Sequence, residues 1–359
     1  MRIEDHRQKT AHADTVVAVA YSASGGFLAS GDRGGEILLW PGGRPGRAQR
    51  LRSPYSPLTG IWFDGEGTRL MAGYQDGRLV MYDPSRLKVV REAQLRPDDK
   101  DRSRILSGTS RPILDYVVLA ASPRGSPWVY AVLEFRDFFQ LARADLSVVA
   151  KKHLSGNLLE HVATGPDGQP VYFGDDLGYI SRYDPAGMQL TYFARHHETV
   201  SALDRNMQST SHDTATGIAA LAVSRDARRL VSTSRTGGVQ VWDIAPEEPA
   251  PADIEKVAPL AARPAPEHGW ARGAAFMPDS SRVVYGCDDG SVEIWDPLSG
   301  ATVDRGKCPE GVRSLAVSPD GSHLAIGGKE GGVFIVPCGP AGAEPAKRAR
   351  RGWLSLFSR

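Results

Sequence analysis

Apolar positions along this chain fall in short runs broken by Gly, Pro, Asp and Ser, a punctuation that favours strands and tight turns over helices. The clearest stretch runs from Trp270 to Pro297. Gly273 to Phe276 reads as a small-residue strand, Pro278-Asp279-Ser280-Ser281 as a turn, and Arg282 to Cys287 as a second apolar run. Asp289-Gly290 closes a tight hairpin, because that dipeptide tolerates the positive φ angles such a turn demands. Val292, Ile294 and Trp295 then form a third strand that Asp296-Pro297 ends. A piece this small cannot bury both of its faces alone, so it needs neighbours of its own kind.

The pattern recurs. Related units run from Thr15 to Trp40, Leu58 to Pro84, Ile113 to Asp145, Asn157 to Pro185, Gly217 to Ile244 and Gly311 to Pro337, which makes seven in all. The clean steps between equivalent aromatic positions, Trp40 to Tyr82 for instance, are about 42 residues, within the ~40–45 of a four-stranded blade. The run Lys88 to Leu95 reads as an outer strand, and Ala252 to Val257 is expected to be another. In the third unit Phe135, Phe138 and Phe139 read as core or rim aromatics.

Ser-Pro-Asp-Gly (Ser318 to Gly321), an apolar run, Asp-Gly and a closing Trp-Asp together resemble the WD-repeat β-propeller family, in a divergent form. Trp-Asp stands intact at Trp242-Asp243 and Trp295-Asp296, with Tyr-Asp at Tyr82-Asp83 and Tyr183-Asp184. The family's Gly-His is reduced to His12 in the first unit and to His196-His197 ahead of the fifth. The resemblance implies an all-β fold, a seven-bladed β-propeller of four-stranded blades. Its ring would be closed by the N-terminal strand, around Arg2 to Thr10, on the last blade. Residues 1–338 would form this one domain and residues 339–359 a basic and aromatic tail.

The chain has 359 residues and 41% hydrophobic content, enough for such a core, and a formal net charge of +1 that gives no reason to expect a nucleic-acid partner. No apolar run approaches a membrane span and the N-terminus lacks a secretory core, so the expected address is cytoplasmic. Cys287, Cys308 and Cys338 are widely spaced with no Cys-x-x-Cys, which argues against a disulfide scaffold or a metal site. The preference for Arg over Lys, with abundant Ala, Gly and Pro, points to a GC-rich genome of bacterial kind.

In the resembled fold the connections from each outer strand to the next inner strand share a face with the hairpins between second and third strands. Long connections are expected at Pro97 to Arg111, Glu198 to Thr216 and Leu260 to Gly269, and loops on a rigid scaffold are where binding resides. The candidate partner-binding residues on that face are Arg33, Tyr74, Gln75, Arg136, Asp175, Arg235, Asp288 and Lys329. The tail sets Arg350 and Arg351 beside Trp353, Leu354 and Phe357, a cluster suited either to an anionic membrane surface or to a partner's groove.

No nucleophile motif or phosphate loop is present. Asp175-Asp176 and Asp288-Asp289 are adjacent pairs whose side chains diverge, so hairpin formation is their expected role rather than metal binding. The expectation is therefore a non-catalytic scaffold that binds a protein or peptide partner, with no cofactor and no metal. The alternative is a propeller hydrolase or oxidoreductase with a site at the channel mouth.

Overall fold

The computed structural model describes residues 1–8, 11–51, 53–55, 57–95, 117–122, 124–133, 137–153, 159–165, 171–184, 189–196, 217–244, 254, 257–264 and 269–338. Seven antiparallel sheets follow one another along the chain, each an up-and-down meander. Blade 1 is built from Val16–Tyr21, Phe27–Asp32, Ile37–Pro41 and Gln49–Leu51, and blade 2 from Leu58–Phe63, Leu70–Tyr74, Arg78–Asp83 and Lys88–Gln94. Blade 3 comprises Val117–Ala121, Trp128–Leu133, Asp137–Ala142 and Val148–His153, and blade 4 Leu159–Thr164, Val171–Asp175, Tyr179–Asp184 and Gln189–Arg195. Blade 5 has Ile218–Val223, Arg229–Ser234, Val239–Asp243 and Ala261–Arg263, and blade 6 has Ala271–Phe276, Val283–Cys287, Ser291–Trp295 and Thr302–Lys307. Blade 7 supplies Val312–Val317, His323–Gly328 and Val333–Pro337. The first strand of every blade touches the first strand of the next, and blade 7 touches blade 1, so the ring closes.

The apolar core is divided among the junctions between blades. Ala29, Ile37 and Leu39 of blade 1 meet Leu70, Ala72 and Val80 of blade 2, and each of the six other junctions has its own buried cluster. Trp40 and Trp242, at the ends of third strands, are wholly enclosed in two of these clusters. Burying an aromatic of that size removes roughly 150–250 Å² from water, a gross gain of about 4–6 kcal/mol. Phe138 and Phe139 are buried as the sequence suggests, while Phe135 lies outside the described residues.

The outer strand of blade 5 corrects the sequence reading. It is Ala261–Arg263, paired with Val239–Val241, rather than Ala252 to Val257, and Leu260 to Gly269 is therefore not one connection. Arg263 explains the choice. Its guanidinium pairs with Glu293, donates to Thr302 Oγ1 at 2.7 Å and lies over the Trp295 ring, all in blade 6, while an outer strand carries little hydrophobic pattern of its own. The expected connections at 97–111 and 198–216 lie outside the described residues.

The N-terminal segment closes the ring as expected. Arg7 bridges Phe334, the Gln8 amide donates to Val333 O at 2.8 Å and the His12 amide to Gly331 O at 3.0 Å. Arg7 also pairs with buried Glu310 at 3.0 Å. Glu310 in turn accepts the amides of Glu330 and Gly332, so one carboxylate holds both the hairpin of blade 7 and the closing segment. Ile3 is fully buried in the junction between blades 6 and 7. Its side chain and the Met1 carbonyl press against Gly306, where an added Cβ would come within 2.7 Å of that carbonyl.

The turns between first and second strands share one device, a Ser or Asp that accepts backbone amides across the turn. Asp320 accepts hydrogen bonds from Ser318 and Ser322, and these hold its carboxyl well below the usual carboxylate range. At Asp279 burial acts in the opposite direction but is outweighed by the Ser281 amide and Arg282.

Two predictions follow from closure and turns. Ile3→Ala should lower unfolding stability by about 2–5 kcal/mol in urea titration, the usual cost of an emptied aliphatic site. An unchanged midpoint would show that the segment does not close the ring. Because the folded pKa of Asp320 is depressed, its contribution is present above the usual carboxylate pKa and lost as pH falls below about 4. Asp320→Asn should therefore flatten the acid limb of the stability profile there while lowering stability at neutral pH.

Candidate functional site

A channel runs through the ring, with a cavity of about 940 Å³ lined by first strands. The way those strands begin decides what faces it. In all seven blades the pairing between first and second strands skips one residue, the second of the inner strand. The skipped residues are Val17, Thr59, Val118, Glu160, Ala219, Arg272 and Arg313. A bulge of this kind re-aims a side chain out of the pleat, and the six whose side chains are described all line the cavity.

A second ring surrounds the first at the same end. In blades 1, 2, 5, 6 and 7 the residue just after the second strand donates its amide to the carbonyl preceding its own first strand: Arg33 to Thr15, Gln75 to Pro57, Arg235 to Gly217, Asp288 to Trp270 and Lys329 to Gly311, at 2.9–3.0 Å. These residues stand where outer strands pass to the next inner strand, the loop-rich face.

Charge is distributed unevenly around the two rings. In blade 6 the Arg272 Nε donates to both oxygens of Asp288 at 3.0 and 3.1 Å, and Arg313 of blade 7 approaches the same carboxylate at 3.1 Å. Arg33 of blade 1 is exposed, lines the cavity and has no ion-pair partner among the described residues. Burial pulls the Arg313 guanidinium below its ordinary value; Asp288 opposes this, and Arg272 and Arg33 add to it. On blade 4, Glu160 pairs with Arg235 of blade 5, and burial still holds its carboxyl above the usual range against that pairing. Next to it, His161 is pushed down to about 4 by burial and by the nearby Arg235 and Arg272, so it is neutral at physiological pH. Blades 1 and 2 contribute uncharged Val17, Thr59 and Gln75. Beside the arginines stands Trp270, 42% exposed, with the Arg272 guanidinium 4.2 Å from its ring centre.

The WD domain, G-beta repeat family matches residues 5–41, 204–243, 265–296 and 303–335. Among solved structures, the β-propeller domain of Cps50 (Swd1) from Myceliophteria thermophila superposes with a TM-score of 0.69 at 15% identity, covering 92% of this chain and 98% of that one. This chain carries WD repeats on a seven-bladed β-propeller fold. The matched segments fall on blades 1, 5, 6 and 7, the ones that carry the channel-mouth arginines and Trp270.

In this WD-repeat propeller Arg33, Gln75, Arg235, Asp288 and Lys329 all belong to the ring around the mouth, with Lys329 exposed at its edge. Two expectations are corrected. Tyr74 is fully buried and shares a 2.8 Å hydrogen bond with the Tyr82 hydroxyl. Asp175 is buried and accepts the amides of Leu177 and Tyr179 at 2.9 and 2.8 Å. Each ends a second strand, and the pleat turns it into the blade junction while the next residue, Gln75 or Asp176, points the other way. Arg136 and the tail residues Arg350, Arg351, Trp353, Leu354 and Phe357 lie outside the described residues. Glu160, His161, Trp270, Arg272 and Arg313 went unread in the sequence. The available signal was a charged residue second in an inner strand, as in Ala271-Arg272-Gly273 and Val312-Arg313-Ser314.

One group of described residues could offer metal ligands, His12 with Asp32 and Glu36, and none of the three lines the cavity. His12 Nδ1 faces the two carboxylates, 3.4 Å from Asp32 and 3.5 Å from Glu36, and each of the three side chains has a further contact. His12 Nε2 meets Ser30 Oγ at 2.6 Å, Asp32 accepts the Glu36 amide at 2.8 Å, and Arg50 pairs with Glu36. The device repeats where His196 Nδ1 meets Ser232 Oγ at 2.7 Å and Trp242 donates to the same oxygen at 2.8 Å, with Ser234 at the place of Asp32. The histidines therefore tie the end of one blade to the second strand of the next.

Because the folded pKa of His161 lies below the ordinary 6.5, its neutral form favours the folded state above that value. This contribution is lost as pH falls from about 6.5 towards 4. His161→Gln should remove that part of the decline in urea midpoint, leaving the limb below about pH 4. Superimposable profiles for the two proteins across that window would show that His161 is not held neutral.

Proposed function

We propose that this WD-repeat propeller is a non-catalytic interaction scaffold that takes a protein or peptide partner on its loop-rich face, at the mouth of the channel. Propellers of this kind generally act as protein-interaction scaffolds, and one observation carries the reading here. The bulges and the amide-anchored ring together set Arg272, Arg313 and Arg33 around a single opening, with Trp270 beside it against the Arg272 guanidinium. Trp and Arg are the residues in which the binding energy of protein interfaces concentrates, and a rigid backbone beneath them spares the entropy of ordering a loop.

The enzyme alternative gains no comparable support. A hydrolytic or metal-assisted site would need converging carboxylates, and at this mouth Glu160 and Asp288 sit on different blades, each neutralised by arginine. The three thiols, Cys287, Cys308 and Cys338, are unpaired, which fits a reducing compartment such as the cytoplasm. Among the described residues no helix is long and apolar enough to cross a membrane. The basic and aromatic tail is assigned a secondary docking role.

Affinity capture tests the reading with the intact chain, a chain ending at Cys338, a Trp270→Ala variant and a control, Arg225→Ala, in an exposed turn between first and second strands on the opposite face. Trp270→Ala should reduce the captured partner at least tenfold, since hot-spot truncations cost about 2 kcal/mol or more. The control should retain it. Equal capture by Trp270→Ala, or loss through Arg225→Ala alone, would move the site off this face.

A further inference from the structure

The charge balance of the mouth goes further than the presence of an interface. On blades 6 and 7, the guanidinium groups of Arg272 and Arg313 face one carboxylate, Asp288, and Arg33 of blade 1 stands near enough to Arg313 to repel it. Arg272 occupies both oxygens of that carboxylate. Arg313 reaches one of the same oxygens, while its buried Nε has no hydrogen-bond partner among the described residues. Arg33 contributes a third cation with no carboxylate in reach among those residues. The opposite side of the mouth differs: Thr59 and Gln75 are uncharged, and Glu160 on blade 4 is matched by Arg235. His161 adds no charge at neutral pH.

We propose that the partner, on the reading given above, is a peptide segment that places an anionic side chain, a carboxylate or a phosphate, between Arg33 and Arg313 with an apolar neighbour against Trp270. Three features of the mouth favour such an occupant. Guanidinium forks match carboxylate and phosphate geometry, and their hydrogen bonds to an anion are about twice as strong as neutral ones. The site is recessed in a cavity flanked by Leu315 and Val19, where screening by salt is weaker than on open surface. An anion there would also relieve the repulsion among the three cations. The side of the ring at blade 4, where Glu160 and Arg235 offset one another, has no such excess of cations, so the charge pattern favours one direction for a segment across the opening.

The experiment uses the full chain and fluorescein-labelled nonapeptides of one Gly-Ser-Leu frame, carrying at the centre glutamate, phosphoserine or glutamine. Anisotropy titrations at low and physiological ionic strength should give at least tenfold tighter binding for one or both anionic frames than for the glutamine frame. The comparison of glutamate with phosphoserine identifies which anion the site takes. Arg33→Gln, an exposed substitution that leaves the fold intact, and Arg313→Gln should each weaken the anionic frames by about tenfold and leave the glutamine frame unchanged. Asp288→Asn should act with the opposite sign and tighten the anionic frames, because it frees two guanidinium groups; a merely structural role for Asp288 would not do so. Arg225→Gln should change nothing.

Equal affinity for all three frames, no measurable binding of any frame, or weakening by Asp288→Asn in a protein of unaltered Tm would overturn the proposal. So would binding to phosphatidylserine vesicles that Arg33→Gln abolishes while the peptides stay unbound. If partner capture still depends on Trp270 while the frames fail to discriminate, the interface stands and the anionic partner falls. If capture itself does not depend on that face, the reading beneath it fails.

Discussion

Apolar contact between successive blades is the interaction on which everything else in this propeller depends. Each blade presents two apolar faces and has no interior of its own, so every buried cluster is shared by two neighbours. In an open array the two terminal blades would each leave a face in water and an unpaired edge. Closure removes both faults at once. It also makes the last junction dependent on residues from opposite ends of the chain: Ile3 fills the cluster between blades 6 and 7, and Arg7 and Gln8 lie along Val333 and Phe334. The contact is far apart in sequence, so loop-closure entropy opposes it until the other junctions have formed.

Junction packing also explains why polar devices recur beside it. A junction needs its blades at a fixed angle, and small directional groups set that angle: His12 with Ser30, His196 with Ser232 and Trp242, and Arg263 with Glu293 and Trp295. Glu310 does the same for the ring closure, holding two amides of the last hairpin and Arg7 of the first segment. Different blades meet one geometric requirement with different side chains. That is why the repeat motifs look eroded in sequence while the sheets remain regular.

What could be read from the sequence follows the same division. Turn chemistry is local, so Asp-Gly, Pro-Asp and Trp-Asp placed the blades and their order correctly. Outer strands are specified by hydrogen bonding to a neighbour and by single cross-blade contacts, and the pattern at Ala261–Arg263 was too weak to locate. Around the mouth, Arg33, Gln75, Arg235 and Asp288 were legible because hairpin position fixes them. Tyr74 and Asp175 were misplaced by a single residue, which in a pleated strand is the difference between the mouth and the core. Arg272, Arg313 and Glu160 were hidden for a related reason. Simple alternation gives no warning of a bulge, and each sits where a bulge interrupts the alternation.

That bulge joins the architecture to the binding surface. An inner strand must twist sharply where it enters the ring, and an extra residue supplies local twist while leaving the remaining pairing intact. The extra residue has no partner across the ladder, so strand pairing constrains its identity weakly. Val17, Thr59, Ala219, Glu160, Arg272 and Arg313 accordingly share one backbone position with nothing in common chemically. A position that the fold fixes in space but leaves free in chemistry is where specificity can change without cost to stability. In this chain the positions on blades 6 and 7 carry arginine, flanked by Trp270 and Arg33 on backbone that the junctions hold still.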